Sequence, residues 1–302
     1  MDEGAVARLA GRFGVRYEPA LAAAPAALRE AVGAADALIV RNATQVDAAL
    51  IAAAPRLAVV GRLGVGLDNI DLAACAARSI GVFPAIGANA RAVAEYVLAA
   101  ALILLRGAFM STAAVADGRW PRDELADGHE IGGRIIGLVG FGSIGRTTGA
   151  LARAAGMRAI AHDPAVGSDD PVWAESDTES CVLDELLRRA DVVSLHLPLT
   201  VATRGLIDAR RIGLLREGAI LINTSRGGIV DEPALAAALA GGRLRGAALD
   251  VFGIEPLPAR SPLAGCPRLV LTPHIAGRTD ESDLRVSGMV ADAVTRALER
   301  SA

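Results

Sequence analysis

The chain has 302 residues, with 34 acidic and 31 basic residues and a net charge of −3; every basic residue is arginine. That length predicts one large or two ordinary domains with ample core, the mild acidity gives no electrostatic footprint for nucleic acid, and the missing lysine removes Schiff-base, pyridoxal and Walker-type phosphate chemistry together. Cys75, Cys181 and Cys266 are odd in number and scattered, which argues against a disulfide framework or a metal site and predicts a reducing, cytoplasmic setting.

Taken in order, residues 4–12 read as a short helix and Val15 to Tyr17 as a strand. Pro25 to Val32 is helical, Ala37 to Val40 a buried strand, and Val46 to Ala53 a helix closed by Pro55. Leu57 to Val60 is a strand, Leu72 to Ala77 a helix, and Val82-Phe83 a further strand. Such alternation implies parallel β-α units in a small α/β domain of about 90 residues. Met1 enters directly at the first helix, so the alternation starts without its first strand. The expectation is that roughly 8–10 residues of apolar strand are encoded upstream.

Ala92 to Leu105 is apolar nearly all round but encloses Glu95, which predicts a buried helix rather than a membrane span. Its longest apolar run, Val97 to Leu105, is too short to cross a bilayer, and no signal peptide pattern opens the chain. Residues 107–133 look irregular and carry Trp120-Pro121-Arg122, an arm expected to pack on another surface. Strands then follow at 135–139, 158–161, 192–195, 219–222, 246–249 and 269–271, consistent with a doubly wound sheet. Asp280 to Arg300 is a final helix, expected to return to the first domain.

The chain is organised around GLVGFGSIGRTTG, Gly137 to Gly149. Apolar residues around Gly137 give a buried strand, Gly140, Gly142 and Gly145 give G-x-G-x-x-G, and Ile144 to Ala155 continues as a helix. The three glycines supply a tight turn, close backbone approach to a pyrophosphate, and close helix–strand packing. Phosphates belong at the helix N-terminus, where unpaired N–H groups and the dipole favour negative charge. With 33 glycines present, such a motif alone is weak; its setting strengthens it. Met157 to Ala161 is a second strand ending in His162-Asp163-Pro164, and Asp163 stands where a carboxylate would accept hydrogen bonds from an adenosine ribose. Asp163 would repel a 2′-phosphate and Pro164 offers no guanidinium, so the predicted cofactor is NAD rather than NADP.

Open α/β sheets bind ligands beyond the carboxyl ends of their strands. The residues just past the predicted strands are His196-Leu197-Pro198-Leu199-Thr200, then Asn223-Thr224-Ser225-Arg226-Gly227-Gly228. Asp250 with Glu255-Pro256 comes next, followed by Thr272-Pro273-His274-Ile275-Ala276-Gly277. One arginine, one glutamate and one histidine therefore fall at adjacent strand ends. A guanidinium can grip a carboxylate and polarise the neighbouring carbonyl. A histidine can take the hydroxyl proton as hydride leaves, and a carboxylate beside it orients the ring and favours its protonated form. That set suits hydride exchange between NAD and a 2-hydroxy acid. Other readings are blander: His196 is expected to be structural beside the cofactor, His162 to line the adenine side, His129 to sit on the surface, and Asp68 and Asp71 to serve a turn and a helix cap.

These residues carry a family resemblance. GRLGVGLDNID (61–71), AEYVL (94–98), GLVGFGSIG (137–145), HLPLT (196–200), INTSRGGIVDE (222–232), LDVFGIEP (249–256) and TPHIAG (272–277) together resemble the D-isomer-specific 2-hydroxyacid dehydrogenases over essentially the whole chain. The resemblance implies that Arg226 grips the substrate, Glu255 is the partner carboxylate and His274 is the acid–base. It implies that backbone N–H groups at Val65 and Gly66 hold the substrate carboxylate. For the cofactor it implies Gly140, Gly142, Ser143, Ile144, Gly145, Asp163, His196, Pro198, Thr203, Thr224 and Ser225, with Asp250 and Gly277 at the nicotinamide carboxamide. The implied fold is a Rossmann-type doubly wound sheet, residues 92–277, inserted in a smaller flavodoxin-like α/β substrate domain, residues 1–91 and 278–302. The implied assembly is a homodimer built on the nucleotide domains.

Arg62 refines the substrate. It stands just before the Val65–Gly66 loop, where family members acting on small neutral acids are usually uncharged, and where the phosphoglycerate dehydrogenase branch uses an arginine for the distal phosphate. The wording GRLGVGLDNID, with LIVRN, RGAFMST, HDP and PHIAG, resembles (S)-sulfolactate dehydrogenases more closely, whose substrate carries a sulfonate. Sulfur on C3 changes the priority order, so the S sulfolactate has the spatial arrangement of a D-hydroxy acid. The expected substrate is thus a small doubly anionic 2-hydroxy acid, with phosphoglycerate or hydroxypyruvate and glyoxylate as the alternatives. A non-enzymatic NAD-sensing co-repressor is the alternative from another class, separated by a turnover assay.

Overall fold

Short aliphatic runs become the strands of two parallel sheets, and the alanine-rich stretches between them become crossover helices. The computed structural model describes residues 1–301, in two units: Met1–Asn89 with the chain from Arg278 onward, and Ala90–Gly277.

The first unit contains α1 (Glu3–Ala10), α2 (Pro25–Ala31), β1 (Ala37–Val40), α3 (Ala48–Ala52), β2 (Val59–Arg62), α4 (Leu72–Ala77) and β3 (Gly81–Pro84). Its strands pair in parallel in the order β1-β2-β3. Asp2, Asp47 and Asp71 start α1, α3 and α4 by accepting backbone N–H bonds at 3.0, 2.7 and 2.8 Å; each short carboxylate satisfies a donor that the first helical turn leaves unpaired. Asp71 therefore has the capping role read from its motif.

One expectation fails in this unit. Val15 to Tyr17 is not a strand, and its two large apolar residues are 41% and 49% exposed. β1 hydrogen-bonds to β2 alone, which leaves its outer edge open, yet Val15 to Tyr17 makes no ladder with it, and propensity without a ladder makes no strand.

The second unit runs α5 (Ala90–Arg106), α6 (Thr112–Ala116), β4 (Ile135–Val139), α7 (Ser143–Ala154), β5 (Arg158–His162), α8 (Val172–Glu175), β6 (Glu179–Ser180), α9 (Leu183–Arg189), β7 (Val192–Leu195), α10 (Ala209–Leu214), β8 (Ile220–Asn223), α11 (Glu232–Ala240), β9 (Gly246–Leu249) and β10 (Leu269–Leu271). Seven strands pair in parallel in the order β10-β9-β8-β7-β4-β5-β6. Side chains alternate between two cores, as the two-residue period of a strand requires. Ile136, Leu138, Val192, Ile220, Ile222 and Ala248 pack with Val97, Ala101 and Leu104 of α5. Val139, Val193, Leu221, Ala247 and Leu249 pack with Leu186, Leu187 and Leu235 of α9 and α11. Both faces of the central strands β4, β7, β8 and β9 are covered, so these strands carry apolar side chains on both faces.

The stretch 107–133 is less irregular than expected: a 3₁₀ turn at Ala108–Ser111 leads into α6. β6 escaped the sequence reading because its two residues are polar and exposed. The end of α5 is closed by Arg245, which is buried and donates from Nε to the carbonyls of Leu104 (3.2 Å) and Leu105 (3.1 Å), and from Nη2 to that of Asp127 (3.0 Å). The guanidinium thus satisfies helix-end carbonyls and complements the negative end of the dipole.

The last helix, α12 (Asp280–Ser301), belongs to the first unit. Val286, Val290 and Val294 pack on Val59 and Leu63. Gly61 permits this approach, since a side chain there would meet Val290 at 2.7 Å and Val294 at 2.9 Å. Among the described residues no single helix is long and apolar enough to cross a membrane, and no group of side chains is arranged to hold a metal ion.

Candidate active site

β4 delivers the chain into the glycine turn, and each glycine there has a physical reason. Gly140 has a positive φ of 97°, and a side chain on it would collide with the His196 carbonyl. A side chain on Gly145 would collide with the Gly140 carbonyl. Gly142 begins α7 with no side-chain cap, and a Cβ on it would meet no protein atom within 4 Å. The first turn of α7 therefore presents its N–H groups to open space, which is the arrangement that receives a phosphate.

Asp163 follows β5. Its Oδ2 accepts the Phe141 N–H at 2.7 Å and its Oδ1 the Ala165 N–H at 2.9 Å. The carboxylate is thereby fixed to the glycine turn, with lone pairs remaining for a ribose diol. Buried polar atoms nearby, His196 Nε2 and Thr224 Oγ1, have no hydrogen-bond partner in the protein, and such atoms are costly unless something binds them. This turn, carboxylate and pair of orphaned atoms fit a dinucleotide. Burial holds the His196 imidazole well below its usual range, at about 4, so the ring stays neutral at physiological pH.

Other members of the expected cofactor set are tied into local structure. Thr203 Oγ1 donates to the Pro198 carbonyl at 2.6 Å and accepts from the Thr200 N–H at 2.8 Å, which shapes the loop after β7. The Ser143 carbonyl accepts from Thr147 Oγ1 at 2.8 Å, and that of Ile144 from Thr148 Oγ1 at 2.9 Å. The Ser225 hydroxyl donates to Asn223 Oδ1 at 2.7 Å. His162 Nδ1 lies 3.1 Å from the Cys181 carbonyl.

The candidate trio comes from three successive strand ends. Arg226 follows β8, Glu255 follows β9 and His274 follows β10, and these three strands are neighbours in the sheet. His274 Nδ1 is 2.8 Å from Glu255 Oε2. Glu255 Oε1 accepts the Phe252 N–H at 3.1 Å. Arg226 is set by Asn223, a buried residue whose Oδ1 accepts the Ser225 N–H at 3.0 Å and whose Nδ2 donates to the Arg226 carbonyl at 2.9 Å. Arg226 Nη1 donates to the Ser225 carbonyl at 2.6 Å.

Asp250 proves to be the keystone of the histidine turn. It is 1% exposed. Its carboxylate accepts the Thr272 hydroxyl at 2.6 Å and the N–H groups of Ile275 and Ala276, each at 2.8 Å. Its carbonyl accepts the His274 N–H at 2.9 Å. Thr272 spends its proton on Asp250, so the Tyr96 hydroxyl, 2.7 Å from Thr272 Oγ1, is the donor to it. This cage holds His274 at φ +57°, a left-handed conformation rare for a residue with a Cβ. Sequence reasoning assigned Asp250 to the nicotinamide carboxamide; the geometry adds that much of its bonding capacity is spent on the turn. Neither Asn223 nor Tyr96 was singled out from the sequence, because neither residue type announces a buttress.

In the first unit, Arg62 closes β2 and is 8% exposed. Its Nη1 donates to the Leu63 carbonyl at 2.6 Å and its Nε to Asn69 Oδ1 at 3.3 Å. Asn69 in turn donates from Nδ2 to the carbonyls of Arg41 (3.1 Å) and Thr44 (2.6 Å). Val65 and Gly66 lie in the bend that follows, half-buried. Val40 pairs in register with Arg62, so Arg41 stands one residue past the adjacent strand end, in an ion pair with Asp283 at 3.3 Å. The sequence reading passed over Arg41 although it lies in the LIVRN stretch.

Residues 98–276 match the family described as D-isomer specific 2-hydroxyacid dehydrogenase, NAD binding domain. The (S)-sulfolactate dehydrogenase of Chromohalobacter salexigens is 50% identical over 298 residues, 99% of this chain and 96% of that protein. The D-3-phosphoglycerate dehydrogenase of Mycobacterium bovis is 43% identical over 271 residues, 90% of this chain; the match spans only 51% of that longer enzyme. Among solved structures, the D-lactate dehydrogenase of Aquifex aeolicus, complexed with NAD and lactic acid, superposes with a TM-score of 0.79 at 30% identity, covering 90% of this chain and 85% of that one.

Proposed function

This chain belongs to the D-isomer specific 2-hydroxyacid dehydrogenases, and from that premise we propose that its substrate is a small 2-hydroxy acid carrying a second anion, with (S)-3-sulfolactate the best candidate. It is an NAD-dependent oxidoreductase of the CH–OH group. Bound NAD supplies the redox chemistry by exchanging a hydride with C2 of the substrate.

The protein's own residues do the rest. In oxidation His274 takes the proton of the 2-hydroxyl as the C2–H bond breaks and the C2=O bond forms; in reduction it returns that proton to the oxygen. Glu255, 2.8 Å from Nδ1, fixes the ring and complements its charged form. Arg226 grips the C1 carboxylate and polarises the C2 oxygen, with Val65 and Gly66 supplying backbone donors. Arg62 recognises the second anion. The observation that carries the reading is the imidazole–carboxylate contact at the mouth of two neighbouring parallel strands, with an arginine at the third. Support for a sulfonate is the 50% identity to a sulfolactate dehydrogenase together with an arginine at position 62.

The partner we propose is a second copy, engaged through the arm at 107–133, where Phe109 and Trp120 stand 64% and 77% exposed. Three free thiols suit a reducing cytoplasm. The test of the substrate is NADH oxidation against 3-sulfopyruvate, 3-phosphohydroxypyruvate, hydroxypyruvate, glyoxylate and pyruvate. The highest kcat/KM is expected on 3-sulfopyruvate. A preference for pyruvate or glyoxylate would remove the second anion from the reading.

A further inference from the structure

Glu255 rides on an irregular loop between β9 and β10, so its 2.8 Å contact with His274 needs an external anchor. Two successive amides of that loop each meet a carboxylate. The Phe252 N–H donates to Glu255 itself, and the Gly253 N–H donates to Glu232 Oε1 at 2.7 Å. Glu232 is the first residue of α11, at the end of the loop that carries Arg226. That loop touches the Glu255 loop a second time at Gly227, where any Cβ would collide with the Phe252 carbonyl. α11 does not need the Glu232 side chain as its cap, because Asp231 already accepts the Ala234 N–H at 3.0 Å.

We propose that Glu232 is a positioning residue: by holding the Gly253 amide it keeps Glu255 on His274, and it ties the substrate arginine's loop to the proton-transfer pair. The two contacts make one rigid body of the Arg226 and Glu255 loops, so carboxylate grip and proton exchange are set in one geometry. Small displacements of such a pair cost rate steeply. The proposal rests on the reading of His274 as the proton-exchanging residue.

Two crossed substitutions test it. Glu232→Asp keeps the negative charge at the start of α11 but is one methylene too short for the Gly253 amide. Glu232→Gln keeps the reach and the acceptor oxygen but loses the charge. Glu232→Asp is expected to lower kcat for 2-oxo acid reduction about tenfold, with KM for NADH unchanged, while Glu232→Gln stays within about twofold of the unaltered enzyme. The proposal is overturned if Glu232→Gln is as impaired as Glu232→Asp, if both run at the unaltered rate, or if Glu232→Asp changes only the melting temperature or the NADH KM. His274→Ala is assayed beside them. If it keeps its rate, the reading of His274 fails; if it is crippled while Glu232→Asp is not, only the role of Glu232 fails.

Discussion

His274 Nδ1 stands 2.8 Å from Glu255 Oε2, across 19 residues of sequence and between the ends of neighbouring strands. The contact occupies one ring nitrogen and leaves the other, Nε2, for the proton exchange proposed for this residue. His274→Ala is expected to lower kcat by about a hundredfold or more, the usual worth of a positioned acid–base group, while NADH affinity, read by fluorescence titration, stays put. A crippling His196→Ala with a mild His274→Ala would reverse the assignment.

Cofactor choice is expected to follow Asp163. Both of its oxygens are held by loop amides, so the carboxylate cannot swing away from an incoming 2′-phosphate. The ratio of kcat/KM for NADH over NADPH should be at least about ten, on the order of 1.4 kcal/mol. Equal efficiency with the two cofactors would contradict it.

Arg62→Ala separates recognition of the second anion from general damage. A charge-assisted pair contributes roughly 1.5–3 kcal/mol, so efficiency on 3-sulfopyruvate or 3-phosphohydroxypyruvate should fall about ten- to a hundredfold. Glyoxylate, which lacks the distal anion, should be nearly unaffected. An unchanged ratio between the two substrates would make Arg62 a purely structural clasp for Leu63 and Asn69.

His196 predicts a pH dependence of stability. Burial lowers its pKa from the ordinary 6.5 to about 4, so between those values the unfolded chain binds a proton that the folded chain refuses. Stability is therefore lost as pH falls from about 6.5 toward 4. Between pH 7 and pH 5 the contribution of this one group is about 2 kcal/mol. Urea unfolding of the cofactor-free protein should show that loss, and a His196→Asn variant should lose correspondingly less over the same interval. Identical pH profiles would refute the burial argument.

What the sequence disclosed depended on the kind of signal each feature leaves. Strands β7 and β9 matched their expected limits because every residue in them is buried, whereas β10, an edge strand with Leu271 39% exposed, was legible from its short aliphatic run alone. The glycine turn was legible because only glycine tolerates the contacts at 140 and 145. Val15 to Tyr17 misled, since β propensity does not decide whether a segment docks on an open sheet edge, and this one does not. β6 was invisible for the converse reason: its pairing with β5 is made by backbone, with polar side chains outside. Within the site, residue types with chemistry of their own stood out from the sequence. Their supports did not: Asn223 beneath Arg226 and Tyr96 behind Thr272 act through single hydrogen bonds over distances that only the fold reveals.

The sheet order carries a consequence for how the protein fails. The nucleotide turn hangs from β4, β5 and β7 in the interior of the sheet, whereas His274 hangs from β10, a three-residue strand bonded on one side only. Edge strands fray at lower free energy than central ones. In mild urea or on gentle warming, β10 and its histidine turn should therefore exchange amide hydrogens first and turnover should vanish early, while a nucleotide-binding remnant persists to higher denaturant. Heat-aged preparations of this protein would then contain molecules that still hold NADH and no longer oxidise it.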